Sequence, residues 1–568
     1  MPPRRSFCPP SSLRSAKLPP LSSAGSEYRT VAWWSPEGSS PIGDETEFRP
    51  AITNLTEPVL LIRKNGTVAA VRGGTLAFSP RSSTAESYPV AGFAPAVRPE
   101  DLGDGGFCAD YRLRYAYVAG AMANGIASTR LVEEMGRAGM LGFFGAAGLS
   151  LERVEAAIEQ LEGSMRDTPY GFNLIHSPNE PELEAAVADL YLRRGIRLVE
   201  ASAYLRLTLP LVRYRVSGIG RDAQGRVVAP NRIIAKASRV EVASQFFSPP
   251  SEEFLTELVG AREITQEQAV LAAALPIAQD LTAEADSGGH TDNRPLVTLL
   301  PTMLALRDRM QRERGYALPL RVGAAGGLST PAALAAAYSM GAAYVLTGSV
   351  NQACTESGSS DAVRSMLARA EQADIAMAPA ADMFEMGVRV QVLKRGTMFP
   401  MRAARLYDLY RAHAGLEDLS EADRTFVEKQ LLRTGIEEAW RSTRAYFLKR
   451  DPEQVERAES DPKHRMALVF RSYLGLSSRW ANDGDPSRVV DYQVWCGPAM
   501  GAFNEWTRGS FLEKPENRRV AVVGHNLLFG AAMQLRWQHL RSQGIQLPME
   551  AVTGYPLEPE ALRKALNT

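Results

Sequence analysis

The chain has 568 residues, of which 45% are hydrophobic and 23% charged, a balance that suits a globular protein with several cores and excludes general disorder. Lys plus Arg and Asp plus Glu both number 64, so no global field favours nucleic acid or a membrane surface, and neither is expected as a partner. Four cysteines, Cys8, Cys108, Cys354 and Cys496, stand far apart, with no CxxC pair and no His/Cys cluster at zinc spacing, which implies a reducing compartment and no metal.

In chain order, residues 1–29 are Pro/Ser-rich and basic at their start ("MPPRRSFCPPSSLRSAKLPPLSSAGS") and are expected to form a disordered tail, less readily a transit peptide. They lack the apolar core of a secretory signal. No stretch approaches the roughly eighteen apolar residues of a membrane span, so a cytoplasmic location is expected. Residues 30–107 read as a β-rich N-terminal subdomain, with Asn65-Gly66 between apolar runs as a hairpin signal.

From 108 to 375 short apolar runs alternate with amphipathic helices. The runs are "YAYVAGAMA" (115–123), "MLGFFG" (140–145), "YGFNLI" (170–175), "RLVEASA" (197–203), "RIIAKAS" (232–238), "DLTAEAD" (280–286), "LRVGAAGG" (320–327) and "YVLTGS" (344–349). Helix signals separate them: Ser128-Thr129 opens a helix that stops by Gly139, and Ser329/Thr330 as cap with Pro331 in the first turn opens one that ends at Gly341. Eight such units in about 250 residues predict an α/β fold, a (β/α)8 TIM barrel, with a doubly wound open sheet as the alternative. Residues 376–480 are charged and helical in pattern and predict an insertion or cap after strand eight. Residues 481–568 form a C-terminal segment, expected to pack back on the barrel, in which "RRVAVVGHNLLFGAAMQLRWQHL" reads as a strand running into a helix.

In a barrel of this kind the residues ending each strand face the active site. Gly326-Gly327 and Gly348-Ser349 end strands seven and eight, where backbone N–H groups and helix starts commonly hold a phosphate; tight turns alone are the other account. Asn173 and Lys236 interrupt apolar runs, and a polar side chain there needs a partner, either in the core or on a ligand. Ala121 and Met122 follow strand one, and Gly289-His290 follows strand six. Cys354 lies just after strand eight, in the place where some barrel dehydrogenases carry a catalytic thiol, but the histidine after strand six makes that role the lesser expectation.

Four strings, "EADSGGHTDNRP", "GAAYVLTGSVNQACTESGSS", "GVRVQVLKRGTMFPMRAARLY" and "DYQVWCGPAMGAFNEW", resemble the PfaD family. These are the separate enoyl reductases of polyunsaturated fatty acid synthases and trans-acyltransferase polyketide synthases, within the flavin barrels that include nitronate monooxygenases and FabK-type reductases. The resemblance covers about residues 55–540. It implies FMN as cofactor, NADPH as reductant and acyl carrier protein domains as partners, the 376–480 helices supplying a docking groove. By resemblance Gly289 and His290 lie beside the flavin, His290 as the proton donor. The phosphate then lies on Gly326, Gly327, Gly348 and Ser349. Asn173 and Lys236 match flavin or ribityl phosphate contacts, and Ala121 and Met122 lie against the ring. The implied reaction passes hydride from NADPH through FMN to the β-carbon of an α,β-unsaturated acyl thioester. Asp286-Ser287 departs from the acidic residue that many nitronate monooxygenases carry before Gly-Gly-His. A nitronate monooxygenase-like flavoenzyme and a non-redox carrier-docking subunit remain as alternatives, and the oligomeric state, a homodimer included, stays open.

Overall fold

The eight apolar runs form eight parallel strands: β1 (Tyr117–Ala119), β2 (Leu141–Phe144), β3 (Gly171–Ile175), β4 (Leu198–Ser202), β5 (Arg232–Ala237), β6 (Asp280–Glu284), β7 (Arg321–Ala325) and β8 (Val345–Thr347). In the computed structural model they close into a barrel, with β8 paired to β1 (Leu346↔Val118) and β4 to β5 (Glu200↔Ile234), which excludes the open sheet. The structure describes residues 30–37, 50–79, 86–176, 181–546 and 554–567; the expected tail over 1–29 lies outside them.

The helix signals act as the sequence predicts. The Ser128 hydroxyl accepts the Leu131 N–H and opens Thr129–Arg137, and Gly139 leaves that helix at φ 78°. Thr330 likewise caps Pro331–Ser339 by accepting the Ala333 N–H. At the N-terminal end of the barrel strands Asp280, Arg321 and Tyr111 interlock: Arg321 Nε donates to Asp280 Oδ1 at 2.6 Å and the Tyr111 hydroxyl to Oδ2 at 2.7 Å.

The chain folds as two units. One holds residues 99–531 and 555–562, and the other the described residues up to 98 with 532–546, 554 and 563–567. In the second unit Val59–Lys64 and Thr67–Val71 pair antiparallel through Asn65 (φ 51°) and Gly66 (φ 80°), the hairpin expected there. They belong to a five-stranded sheet whose core includes Trp34, Ile62 and Val71.

Three expectations for the C-terminal half are corrected. The segment from 376 does not begin helical: β9 (Ile375–Pro379) and β10 (Arg389–Leu393) pair antiparallel, and Gly289–His290 adds to β10 as a third strand. The β-branched and apolar residues of "RVQVL" fit a half-buried strand better than a helix. The helices Phe399–Ala412, Ile436–Arg450, Pro452–Ser460 and Pro462–Asp483 follow, so a boundary at 480 falls inside the last of them. They share the unit of the barrel. Their charges pair across exposed faces, as Arg444 with Glu459 and Arg465 with Glu437, both at 2.9 Å. Finally, "RRVAVVGHNLLFGAAMQLRWQHL" contains no strand. Val520–Ser542 is one helix, because Val520, Val523, Leu527 and Leu528 bury on a helical spacing that outweighs the strand preference of valine.

Candidate functional site

A cavity of about 1280 Å³ opens at the C-terminal ends of the barrel strands. All ten residues singled out from the sequence line it: Ala121, Met122, Asn173, Lys236, Gly289, His290, Gly326, Gly327, Gly348 and Ser349. Single-ligand pockets run to about 1,000 Å³, so this space accommodates more than one small molecule or a long one.

Chain geometry at the ends of β7 and β8 explains their glycines. Gly326 has φ 87°, and a Cβ there would stand 2.6 Å from the Ala285 carbonyl carbon. Gly327 has φ 73° but faces open space, as does Gly348, so their backbones are accessible from the cavity. Ser349 starts the short helix Ser349–Gln352, and its hydroxyl accepts the Gly497 N–H at 3.3 Å.

Polar side chains in the strands find partners within the barrel. Asn173 donates its amide to the Glu200 carbonyl and to the Ser202 hydroxyl, both at 3.2 Å. Lys236 Nζ lies 2.7 Å from Glu284 Oε1. Its charge is therefore already matched before any phosphate arrives. Glu200, fully buried, accepts the Ala121 N–H at 3.0 Å, and burial pushes its carboxyl up to about 7. Glu200 and Glu284 were missed from the sequence. The signal was present, a charge inside the apolar runs "RLVEASA" and "DLTAEAD" like the one that marked Lys236.

His290 is held by a tied loop. Asp292 accepts two hydrogen bonds from Arg239 at 2.9 Å and one from Ser238 at 2.6 Å, which keep its carboxyl near 2, the Arg239 bonds foremost. Asp286 accepts from Asn293 at 2.8 Å and from Gln391 at 3.0 Å, and Gln391 also donates to the Ser287 carbonyl. Gly288 has no room for a side chain, since a Cβ would lie 2.9 Å from the Cys496 nitrogen. At the tip His290 Nε2 stands 3.2 Å from Asp382 Oδ1. Burial lowers the imidazole pKa, but the hydrogen bond and charge of Asp382 outweigh it and raise the value above 6.5. Asp382, in the β9–β10 connection, is a further residue that sequence reasoning missed, because nothing local ties it to a histidine 92 positions away.

Cys354 does not line the cavity. It is fully buried, donates to the Val350 carbonyl, and burial pushes its thiol well up, so it is no nucleophile here. The far wall comes from the inserted helices, with Leu432, Ala439, Tyr446, Phe447, Leu476 and Trp480 facing the space. Tyr446 and Leu476 are 52% and 40% exposed, large apolar surfaces left open to it.

A family model described as nitronate monooxygenase matches residues 110–418, more than half of the chain. The chain belongs to the nitronate monooxygenase family. A second model, the inserted helical domain of [acyl-carrier-protein] S-malonyltransferase, matches residues 413–492 of this family member, the helices that wall the cavity. Among curated proteins it is 47% identical over 463 residues to a polyunsaturated fatty acid synthase component of a Thraustochytrium species, covering 80% of this chain and 31% of that one. It is 44% identical over 453 residues to the polyketide biosynthesis protein PksE of Bacillus subtilis, covering 80% and 58%. The chain thus spans about a third to three fifths of the length of these two relatives. Among solved structures, the enoyl reductase domain of MlnA from the macrolactin cluster of Bacillus amyloliquefaciens matches with 38% identity and a TM-score of 0.74, over 77% of this chain and 99% of that one. The PfaD-type resemblance of the sequence stands, within a family whose implied cofactor is a flavin. The cavity fits such a group. It offers open backbone at Gly327 and Gly348, a small apolar bed at Ala121 and Met122, and a buried Ser287 hydroxyl in its wall without a hydrogen-bond partner among the described residues.

Proposed function

We propose that the protein is an FMN-dependent, NADPH-linked enoyl reductase that acts in trans on α,β-unsaturated acyl thioesters carried by acyl carrier protein, in polyketide or polyunsaturated fatty acid biosynthesis. The observation that carries this reading is the placement of a protonatable histidine, His290 with Asp382, in the wall of a cavity that also has open glycine backbone at two strand ends and an apolar helical wall. Gly326, Gly327, Gly348 and Ser349 would hold the phosphate, and Ala121, Met122 and Asn173 the ring. When bound, the flavin supplies hydride transfer to and from carbon.

The residues of the chain do the rest. His290, with Nε2 facing Asp382, keeps Nδ1 for the substrate; as an imidazolium it donates that proton to the α-carbon as the β-carbon is reduced. Leu432, Tyr446, Leu476 and Trp480 line a path for the acyl chain and its arm, which would displace water from them on binding. Shape match and charge spacing for the carrier fall to the inserted helices, in keeping with their similarity to the helical domain of an acyl-carrier-protein transferase.

The test is an anaerobic stopped-flow titration following the flavin band. NADPH is expected to bleach it, and a crotonyl-carrier thioester to restore it, with the second step lost in His290→Ala. Bleaching without thioester-dependent recovery would sink the substrate assignment. The family match carries a second reading, nitroalkane oxidation. It predicts oxygen-dependent nitroalkane consumption without NADPH.

A further inference from the structure

Three charged side chains from consecutive strands, β4, β5 and β6, meet at the barrel mouth. Lys236 and Glu284 line the cavity and pair with each other, whereas Glu200 lies behind them and does not reach it. Glu200 is 0% exposed. One of its oxygens accepts the Ala121 N–H, the residue on which the ring bed is built, and the other, Oε1, is buried with no hydrogen-bond partner among the described residues. Tyr344, whose hydroxyl pairs with Thr282 at 2.9 Å, also feels the charge of Glu200.

Two carboxylates and one ammonium cannot all be charged in a dry site without leaving an uncompensated negative charge. Glu284 has the nearer hold on the ammonium, so the surplus falls on Glu200. Its pKa follows: burial raises it, Glu284 adds to that, and Lys236 and the Ala121 N–H oppose, leaving it at about 7. Glu200 is therefore the member of the three left without a cation and the one most readily protonated, in contact with the floor of the cavity through one backbone N–H.

We propose that Glu200 is a positioning residue that takes up a proton from solvent when negative charge is added at the barrel mouth and releases it when that charge leaves. The balance is simple: the carboxylate plus one solvent proton becomes the carboxylic acid, no electrons move on the protein, and the net charge of the Glu200–Lys236–Glu284 site goes from minus one to zero. The charge that drives it is that of two-electron reduction of a ring resting on Ala121, so the proposal rests on the flavin reading above.

Two measurements on the full chain test it. Infrared pH-difference spectra of the purified protein between pH 5.5 and 8.5 should show a carboxylic acid C=O band titrating near 7 that is absent in Glu200→Gln. In Lys236→Met the same band should persist to higher pH, which keeps the test readable if the first variant folds poorly. Spectroelectrochemical titration of the flavin-loaded protein should show, above about pH 7, a midpoint potential that falls with up to one additional proton per two electrons, up to about 30 mV per pH unit steeper than in Glu200→Gln, the two slopes converging towards pH 5.5 where the acid is already protonated. A potential that follows pH identically in both proteins, or a band unaffected by Glu200→Gln, overturns the proposal and leaves the flavin reading intact. Protein that takes up no flavin overturns both.

Discussion

His290 and Asp382 set the pH behaviour expected of the site. A histidine whose folded pKa is raised contributes stability that is fully present below its unfolded value near 6.5 and is lost as pH rises through the folded value. The same proton is the one proposed for the α-carbon. Asp382→Asn should therefore move the alkaline limb of the kcat/KM profile for thioester reduction to lower pH. Solvent screens a pair whose side chains are 37% and 51% exposed, so the move is a modest one, and an unchanged alkaline limb would contradict the role of Asp382. Glu200 acts in the same direction. Its folded pKa of about 7 lies above the ordinary 4.5, so the folded state binds more protons between those values and loses stability as pH rises through that window. Glu200→Gln, which keeps an acceptor for the Ala121 N–H, should raise Tm over wild type more at pH 8 than at pH 5, and equal gains at both pH values would contradict this. His290, Lys236 and Asn173 were legible because each breaks an apolar or glycine pattern. Asp382 was not, because its role comes from a partner far away in the chain.

At the strand ends, Gly326 and Gly327 differ in what surrounds them, and substitution should separate the two effects. Gly327→Ala meets nothing within 4 Å but must hold φ 73°, which costs about 1 kcal/mol and should lower Tm by a degree or two, with weaker flavin retention because the methyl enters the cavity wall. Gly326→Ala drives a methyl into the Ala285 backbone and should displace the β6 exit, so that loss of flavin and a larger Tm drop come together. At the other end of the barrel, Arg321→Met leaves the buried Asp280 without its cation. A loss of about 3–5 kcal/mol is expected there by denaturant titration, with the flavin Kd of the folded fraction unchanged because the site lies elsewhere. All eight strands were legible as short apolar runs, and their helices by caps such as Ser128 and Thr330. The strand expected at the start of "RRVAVVGHNLLFGAAMQLRWQHL" was wrong because valines on a helical spacing bury equally well, and β9 and β10 were hidden in a stretch whose charge density suggested helices alone.

Across the whole molecule, no helix among the described residues is long and apolar enough to cross a membrane, and no cluster of three or more metal-binding side chains occurs among them. The inserted helices belong to the unit that holds the barrel, and they give the cavity its apolar wall. Leu476→Glu, at a partly exposed position on that wall, should raise KM for the carrier thioester several-fold while leaving NADPH-dependent bleaching of the flavin unchanged; equal loss in both half-reactions would show that the wall serves the flavin and not the acyl arm. By itself the sequence determined the eight βα units, because strand length, helix caps and glycine breaks are local, whereas only the pairing of β8 with β1 decided for a barrel over an open sheet. It also determined which residues stand at the strand ends, since glycine or polar breaks close each apolar run. Tertiary structure alone decided that Asp382 meets His290, that Glu284 claims Lys236 and leaves Glu200 to carry the surplus charge, and that helices far beyond β8 in the chain close the cavity. Those pairings depend on distance and dielectric between elements remote in the chain, and no local pattern encodes either.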